Sequence, residues 1–457
     1  FGLAAGYALL GAGLAWHGAA ARRPALVSGA LCVLALARFP FGRMQADHLP
    51  MVVKRWDPQG TRRVLAQREG LTENLLYLES SALGRPYSQR LVTNGYSMSG
   101  NSWTARRYMK LFVYWPAAVH PRLERALLIS YGVGSTAQAL TDTPSLKQID
   151  VVDISRDVLE LSDVLFPDPA RHPLRDPRVR IHVEDGRQYL QTTRERYDLI
   201  TGEPPPPNEA GVVNLYTREY FALMRDRLAE GGIASYWLPI HSLSAEGSRS
   251  VIRAFCDVFD DCSLWNGSGY DLLLIGTRGA SGPVPAERFT ALWRDPAQGP
   301  ELRALGLERP EQLGALFVGD AEYLRAITRN ALPVVDDHPR RILVPGRGGR
   351  ALPPLYRDWM DVDAARARFT RSPLIARLWP ASLRRASLPW FDIQRVLNRI
   401  TYLTFQRPPA RIAELDRLLD ESDLVTPALW LAGSDARRQR FAAELAPGDR
   451  AAPEAQY

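Results

Sequence analysis

Residues 125–136 read RALLISYGVGST, a short apolar run that ends at two closely spaced glycines. Three further apolar runs follow at 148–154 (QIDVVDI), 179–185 (VRIHVED) and 197–201 (YDLIT). The segments between them have the spacing of amphipathic helices. Short apolar strands that alternate with helices are typical of a parallel sheet covered on both faces. The sequence therefore predicts a doubly wound α/β domain.

The strand pattern extends in both directions from this region. Two more strands are expected at 233–239 and 270–277. Upstream, residues 74–79 and 87–93 have the composition of two short strands, and a turn signal, Asn94-Gly95, follows them. We therefore expect a small β-hairpin domain ahead of the doubly wound sheet.

The C-terminal part of the chain has helical spacing and is rich in arginine. Four regions are predicted: an apolar helical hairpin over 1–43, a basic linker with the small β-hairpin domain over 44–119, the doubly wound domain over 120–280 and a helical region over 281–457.

The composition is that of a globular protein. Of the 457 residues, 46 % are hydrophobic and 23 % are charged, which excludes wholesale disorder. The net charge is +7, but there is no basic tract with interleaved aromatic residues, so nucleic acid is not expected as a partner. Cys32, Cys256 and Cys262 are too few for a disulfide scaffold and lack zinc-site spacing. A reducing compartment is the simpler interpretation.

The beginning of the chain has the character of a membrane segment. Residues 1–21 contain no Asp, Glu, Lys or Arg, and a helix of that length rises about 30 Å, enough to cross a bilayer. Arg22 and Arg23 separate this run from a second uncharged run over 24–37. We expect a membrane hairpin, with a buried helical hairpin in a soluble protein as the alternative. Because the chain opens with Phe1 and not Met, we also expect a segment upstream.

Polar features follow the strands at the sheet edge where doubly wound proteins bind their ligands. They are Gly132 and Gly134 after the first strand, Asp153 after the second, Asp185-Gly186 after the third and Glu203 to Pro207 after the fourth. Glycines let the backbone approach a ligand, and an acid after the second strand suits two ribose hydroxyls. Together these features favour an adenosine-containing ligand.

Other interpretations of these residues are open. A dinucleotide loop would also use glycines and an acid, although the third glycine of GxGxxG falls on Ala137. Each acid alone is more often a helix cap or part of a solvated turn. His241 is a candidate for the pocket wall, and His182 is expected to face a helix. The segment VDDHP (335–339) is interpreted as a turn in preference to a metal site.

Over about residues 70–280 the chain resembles the spermidine synthase (polyamine aminopropyltransferase) family, a branch of the class I S-adenosylmethionine-dependent methyltransferase fold. The motifs that carry the resemblance are His120-Pro121, YGVGS (131–135), VVDIS (151–155), DPRVRIHVEDGRQYL (176–190) and YDLITGEPPPP with NLYTREYF (197–221). The uncharged runs before this domain and VDDHP after it are similar to the membrane-fused branch of the family.

The resemblance implies a nucleophilic displacement at a sulfonium carbon. Glu203 stands where the family has its catalytic aspartate. The residues expected to bind the donor are Gly132, Gly134, Asp153, Asp185 and Gly186. Those expected to form the acceptor pocket are Tyr108, Tyr216, Pro204 and Pro205.

The chain departs from the family pattern at several positions. The family's second aspartate falls on Pro206, its loop aspartate on Val133 and its N-terminal glutamine on Met98. A diamine has two cationic ends and needs several carboxylates. We therefore expect a non-standard amine as the acceptor.

The expected function is a membrane-anchored transferase that moves an aminopropyl group from decarboxylated S-adenosylmethionine to this amine. Methyl transfer from intact S-adenosylmethionine is one alternative, and a non-catalytic nucleoside sensor or scaffold is another. No metal is expected. The expected partners are an amine and the membrane, and a homo-oligomer is left open. The expected location is the inner (cytoplasmic) membrane, with the transferase domain facing the cytoplasm.

Overall fold

The computed structural model describes residues 44–58, 60–70, 73–82, 85–205, 211–337, 342 and 352–406, together with isolated positions before residue 44. The chain divides into two compact units, Phe1–Thr61 and Arg62–Tyr457.

In the first unit, a π-helical turn (Met44–His48) leads into helix α1 (Leu49–Trp56), which buries Leu49 and Val52. The helical hairpin predicted over 1–43 lies almost entirely outside the described residues. Within the described part of the chain, no helix has the length and apolar character needed to cross a membrane.

The second unit begins with a small antiparallel sheet of four strands in sequential order. Its strands are β1 (Arg63–Glu69), β2 (Asn74–Ala82), β3 (Arg85–Thr93) and β4 (Tyr96–Gly100). The two predicted strands are the central pair of this sheet. Asn94 and Gly95 form the two-residue turn between β3 and β4, and both have positive φ, as the tightest hairpin turns require.

A sheet of eight strands forms the centre of this unit. Its strands are β5 (Arg125–Ile129), β6 (Gln148–Asp153), β7 (Val179–Val183), β8 (Tyr197–Gly202), β9 (Leu228–Pro239), β10 (Ser263–Ser268), β11 (Asp271–Thr277) and β12 (Phe317–Gly319). Their order is β12-β10-β11-β9-β8-β5-β6-β7. Strands β5 to β9 are parallel, and β11 is antiparallel to both β9 and β10. This is the strand arrangement of the class I methyltransferase-like fold, so the predicted sheet is confirmed.

The helices fall into two groups along the chain. Those that alternate with the strands are α2 (Trp103–Val119), α3 (Ser135–Thr141), α4 (Arg156–Glu160), α5 (Gly186–Thr192), α6 (Arg218–Arg227) and α7 (Ala245–Cys256). Short 3₁₀ turns lie at Leu161–Val164, Pro169–Arg171, Pro173–Arg175 and Val212–Tyr216.

The predicted helical region follows the sheet. Its helices are α8 (Ala286–Arg294), α9 (Gln298–Ala304), α10 (Glu311–Gly314), α11 (Ala321–Thr328), α12 (Pro354–Met360), α13 (Val362–Arg371), α14 (Pro373–Leu378), α15 (Ala381–Ala386) and α16 (Trp390–Gln406).

The large sheet separates two hydrophobic cores. Ala126 and Leu128 of β5 belong to the core that contains α2 and α3, whereas Leu127 and Ile129 belong to the core that contains α6 and α7. Successive residues of a strand point to opposite faces, which explains why the central strands are apolar throughout. Helix α2 is buried along most of its length, so a polar group on it is held in a fixed place.

The cysteines depart from the expectation. Cys256, at the end of α7, and Cys262, just before β10, form a disulfide. The turn between them brings their Cα atoms to 5.3 Å, within the range that a disulfide spans. This pairing argues against the reducing compartment inferred from the number of cysteines, because disulfides persist mainly in oxidising compartments.

Candidate active site

The loop after β5 requires its two glycines. Gly132 and Gly134 have φ values of +56° and +78°, a region that side chains other than glycine's rarely adopt. A Cβ at Gly132 would lie 2.9 Å from Ser99 Oγ, and a Cβ at Gly134 would lie 2.5 Å from the Tyr131 hydroxyl. The glycines therefore allow the loop to pass close to β4 and then turn into α3.

Asp153 ends β6 and holds this loop. Its carboxylate accepts hydrogen bonds from the backbone N–H groups of Tyr131 (2.7 Å) and Ser155 (2.8 Å). Burial raises the pKa of Asp153, and the backbone N–H groups oppose that shift. A carboxylate accepts about four hydrogen bonds, so Asp153 retains capacity for ligand hydroxyls.

Asp185 and Gly186 form the start of α5. Asp185 accepts hydrogen bonds from the N–H groups of Arg187 and Gln188, both at 2.9 Å, and so caps the helix. A Cβ at Gly186 would lie 2.4 Å from the side chain of Ile129. Glycine at this position lets α5 begin directly against the end of β5.

A cavity of about 420 Å³ opens at this edge of the sheet. The predicted residues that line it are Gly132, Asp153, Asp185, Gly186, Glu203 and Pro205. The predicted residues that lie outside its lining are Gly134, Tyr108, Tyr216 and Pro204. The structure therefore brings the expected donor residues and the expected base to one cavity.

The small sheet supplies one wall of this cavity, which sequence reasoning did not predict. Glu73, Thr93, Met98 and Ser99 all line it. The hydroxyl oxygens of Thr93 and Ser99 are buried and have no hydrogen-bond partner among the described residues. Because buried polar atoms are normally paired, these two hydroxyls are ligand-binding candidates. Alternation within β3, where Leu91 and Thr93 both line the cavity, was a sequence signal that could have identified Thr93.

Glu203 follows β8 and lies between the cavity and helix α2. The hydroxyl of Tyr108, which α2 holds in the core, donates a hydrogen bond to Glu203 Oε1. Burial raises the pKa of Glu203 to about 8; the Tyr108 hydrogen bond lowers it, and the nearby carboxylate of Asp271 raises it further. Tyr108 thus belongs to the site through Glu203, although it does not line the cavity itself.

Tyr216 and Pro204 are buried beside Glu203. The ring of Tyr216 lies 5.6 Å from that of Tyr236. Burial, and then the charge of Glu203, hold the pKa of Tyr216 well above its usual range. The Tyr216 hydroxyl has no hydrogen-bond partner within the described part of the chain. Tyr216 therefore forms the inner wall behind the carboxyl.

Asp271 is a second buried carboxyl at this edge of the sheet, and the sequence analysis missed it. Asp271 Oδ1 accepts a hydrogen bond from Trp237 Nε1 at 3.0 Å, and His241 Nδ1 lies 3.5 Å away. Burial raises the pKa of Asp271. Tyr108 stacks on Trp237 with ring centres 5.9 Å apart. The candidate His241 therefore lies beside Asp271 and outside the cavity lining.

The remaining polar candidates have structural partners. His182 Nε2 lies 2.9 Å from Asp150 Oδ1, so it pairs with the neighbouring strand β6. Asp336 makes a bidentate pair with Arg187. Among the described residues, no group of three potential metal ligands is present, and His338 lies outside them.

The sequence comparisons agree with this geometry. Residues 105–263 match the family model of the spermine/spermidine synthase domain. A polyamine aminopropyltransferase of Streptococcus pneumoniae is 36 % identical over 129 residues, which cover 28 % of this chain and 44 % of that protein. One from Alkaliphilus oremlandii is 28 % identical over 160 residues, which cover 35 % of this chain and 56 % of that protein. The chain thus spans about half the length of the curated relatives it matches.

Solved structures of the same kind are also similar. A spermidine synthase from Thermotoga maritima gives a TM-score of 0.41 at 18 % identity, covering 50 % of this chain and 76 % of that one. A probable spermidine synthase from Corynebacterium glutamicum gives a TM-score of 0.42 at 16 % identity, covering 63 % of this chain and 99 % of that one. By its sequence matches and its strand order, the chain contains a spermidine synthase-like domain with the class I methyltransferase-like fold.

Proposed function

We propose that this chain is an aminopropyltransferase that uses decarboxylated S-adenosylmethionine as donor and a non-standard amine as acceptor. The observation that carries the proposal is the placement of Glu203. Its carboxyl lines the cavity, accepts a hydrogen bond from Tyr108 and has its pKa raised to about 8. The similarity of residues 105–263 to spermine/spermidine synthases supports the reaction class.

The reaction is a single displacement. The acceptor nitrogen forms a bond with the aminopropyl carbon next to the sulfonium, and the carbon–sulfur bond breaks. Its electron pair stays on sulfur, which leaves as the neutral thioether methylthioadenosine. The attacking nitrogen loses one proton, and Glu203 accepts it. The chain contributes alignment and a dry site, which together account for much of the rate in such reactions.

The raised pKa suits Glu203 to this role. An amine reaches the site as an ammonium ion and must lose a proton before it can attack. A base is most effective when its pKa lies near the working pH. The usual pKa of a glutamate side chain is about 4.3, which is too low for efficient removal of a proton from an ammonium ion. Burial of Glu203 beside Asp271 moves its pKa toward that of the acceptor.

The charges around the cavity favour the decarboxylated donor. Its described lining contains the carboxyls of Glu73, Asp153, Asp185 and Glu203 and one cation, Arg187. Arg187 already forms a bidentate pair with Asp336. Intact S-adenosylmethionine carries a carboxylate beside its ammonium and would bring that carboxylate into this acidic lining, whereas the decarboxylated form carries the ammonium alone.

The region behind the cavity adds a second carboxyl to Glu203. The charge of Asp271 acts on Glu203, and the stacked rings of Tyr108 and Trp237 lie between the two carboxyls. Carboxylates attract cations. The side chain of Val133, where the family has its loop aspartate, is buried in the core. This altered set of carboxyls supports an amine other than the family's usual diamine.

Donor binding tests the proposal. Calorimetry with the full chain should show tighter binding of decarboxylated than of intact S-adenosylmethionine. Asp153→Ala should weaken donor binding at least about tenfold, because charge-assisted hydrogen bonds to the ribose are lost. Asp168→Ala is the control, since Asp168 also accepts a hydrogen bond from a backbone N–H, that of Ala170, but lies outside the cavity lining. Equal affinity for the two donors, or an unchanged affinity in Asp153→Ala, would contradict the proposal.

We also propose that residues 1–37 attach the protein to a membrane, with the transferase domain on the cytoplasmic side. The uncharged runs at 1–21 and 24–37 support attachment. The donor is supplied in the cytosol, and this supports a transferase domain on the cytoplasmic side. The Cys256–Cys262 disulfide is the observation that favours the opposite side. Labelling of intact cells with a membrane-impermeant reagent distinguishes the two orientations.

A further inference from the structure

Arg187 joins three parts of the chain at the edge of the cavity. It is the second residue of α5, and its backbone N–H donates to Asp185. Its guanidinium Nη1 donates to the carbonyl of Asn214 at 2.9 Å and to the hydroxyl of Thr217 at 3.2 Å. The same group pairs with Asp336 through Nη1 at 2.9 Å and through Nη2.

The segment 211–217 is the part of the chain that this guanidinium holds. Gly211, Val212, Asn214 and Leu215 all line the cavity. The segment therefore supplies part of the cavity wall. Arg187 therefore fixes a cavity wall to the start of α5, where Asp185 and Gly186 lie.

Asp336 comes from the VDDHP segment, far along the chain. The N–H of Asp336 donates to Glu219 Oε2 at 3.1 Å, and the carbonyl of Val334 accepts from the N–H of Arg218 at 2.9 Å. Both contacts tie residues 334–336 to the first turn of α6. Asp336 is thus held in place independently of Arg187, and it can orient the guanidinium.

We propose that Asp336 is a positioning residue of the donor cavity: through Arg187 it holds the 211–217 wall against the start of α5. Residues 334–336 then couple the region after the sheet to the nucleoside site. A bidentate arginine–carboxylate pair fixes the plane of the guanidinium, and that plane determines which acceptors Nη1 reaches. The inference rests on the proposed function only in taking the cavity to bind a nucleoside.

The test compares Asp336→Asn with a matched control, Asp363→Asn. Asp363 also makes a bidentate pair, with Arg395 at 2.7 and 2.8 Å, but on the exposed surface of α13 and α16. In the full chain, Asp336→Asn should accelerate amide hydrogen exchange across 211–217. It should also weaken methylthioadenosine binding about fivefold, as expected when a charge-assisted contact is lost. Asp363→Asn should change neither, and Asp336→Glu should recover part of the affinity.

A double variant tests whether Asp336 acts through Arg187. In an Arg187→Ala background, adding Asp336→Asn should cause no further loss of affinity, because residues that act as one unit are not additive. The inference is overturned if Asp336→Asn leaves the rate of amide exchange across 211–217 at its wild-type value. It is also overturned if Asp336→Asn weakens methylthioadenosine binding as much in the Arg187→Ala background as in the wild-type chain. If the wild-type chain fails to bind methylthioadenosine, the proposed function fails, and the exchange measurement still decides the role of Asp336.

Discussion

At the scale of residues, the site depends on two buried carboxyls with different surroundings. Glu203 lines the cavity and accepts a hydrogen bond from Tyr108. Asp271 accepts one from Trp237 and lies beside His241. Burial raises the pKa of each, and the charge of Asp271 raises that of Glu203. Asp271 therefore raises the pKa of the carboxyl proposed as the base.

Asp271→Asn should shift the pH dependence of turnover. If Glu203 is the base, kcat/KM rises with pH until Glu203 ionises, near its pKa of about 8. Removing the negative charge of Asp271 makes ionisation of Glu203 easier and lowers its pKa. The rising limb should therefore move to lower pH, while KM for the amine increases. Asp363→Asn is the control, and a rising limb that stays in place in Asp271→Asn would contradict this role.

Most site residues could be predicted because they follow parallel strands. Asp153, Asp185 and Glu203 each come directly after an apolar run, and the carboxyl ends of parallel strands share one edge. Asp271 also reaches that edge, but it opens the antiparallel strand β11. An acid at the start of a strand lies at the ligand-binding edge only if that strand is antiparallel to the others. The apolar sequence of a strand does not indicate whether the strand is parallel or antiparallel to its neighbours.

At the scale of elements, the loop after β5 has one residue in an unfavourable conformation. Ser130 lines the cavity with φ of +74°. Its N–H donates to the carbonyl of Val152 at 2.9 Å, so pairing with β6 maintains this backbone. A left-handed conformation costs a residue other than glycine about 1–2 kcal/mol.

Ser130→Gly should therefore stabilise the protein. Relief of the left-handed conformation outweighs the greater freedom of glycine in the unfolded chain, for a net gain of about 0.5–1 kcal/mol in the free energy of unfolding. Chemical denaturation measures it. Ser145→Gly is the control, because Ser145 is not among the described residues with positive φ. This variant should have a lower free energy of unfolding than the wild type. Lower stability of Ser130→Gly would show that its side chain stabilises the loop.

The sequence did not predict the strands that lack a continuous apolar run. Strand β10 reads SLWNGS, and its Asn, Gly and two Ser residues are typical of a loop. It is a strand because β11 and β12 pair with it on both sides. Strand β1 reads RVLAQRE and is largely exposed at the edge of the small sheet. Both strands depend on tertiary pairing more than on their own composition.

At the scale of the whole molecule, the proposed membrane attachment is expected to depend on residues 1–43. The full chain should stay in the membrane pellet after a carbonate wash and require detergent. A variant that lacks residues 1–43 should be released, or retained only by salt-sensitive contacts of Lys54, Arg55, Arg62 and Arg63. Recovery of the full chain in the carbonate supernatant would contradict a membrane-spanning segment.

The two halves of the spermidine synthase-like unit contribute different parts of the site. The large sheet supplies the glycine loop and the acids, and the small sheet supplies the wall with Thr93 and Ser99. Helix α2, which directly follows the small sheet, brings Tyr108 to Glu203. The helical region contacts α2 through the pair of buried Lys110 with partly exposed Glu301. Glu203 is therefore linked, through Tyr108 and α2, to the helical region.

The nucleoside product tests the central claim most directly. The full chain is incubated with decarboxylated S-adenosylmethionine and a panel of amines, and in parallel with intact S-adenosylmethionine. Mass spectrometry then identifies the nucleoside released. Glu203→Gln is compared with Glu230→Gln, which alters an exposed carboxyl on β9.

If the reaction is aminopropyl transfer, methylthioadenosine should be released only when an amine is present. An equal amount of the aminopropylated amine should form with it. Glu203→Gln should reduce its rate by about 10²–10⁴, and Glu230→Gln should leave it unchanged. Release of S-adenosylhomocysteine from the intact donor would show methyl transfer instead. If no amine gives more methylthioadenosine with the wild-type chain than with Glu203→Gln, the account of Glu203 as the base of an aminopropyltransferase is wrong.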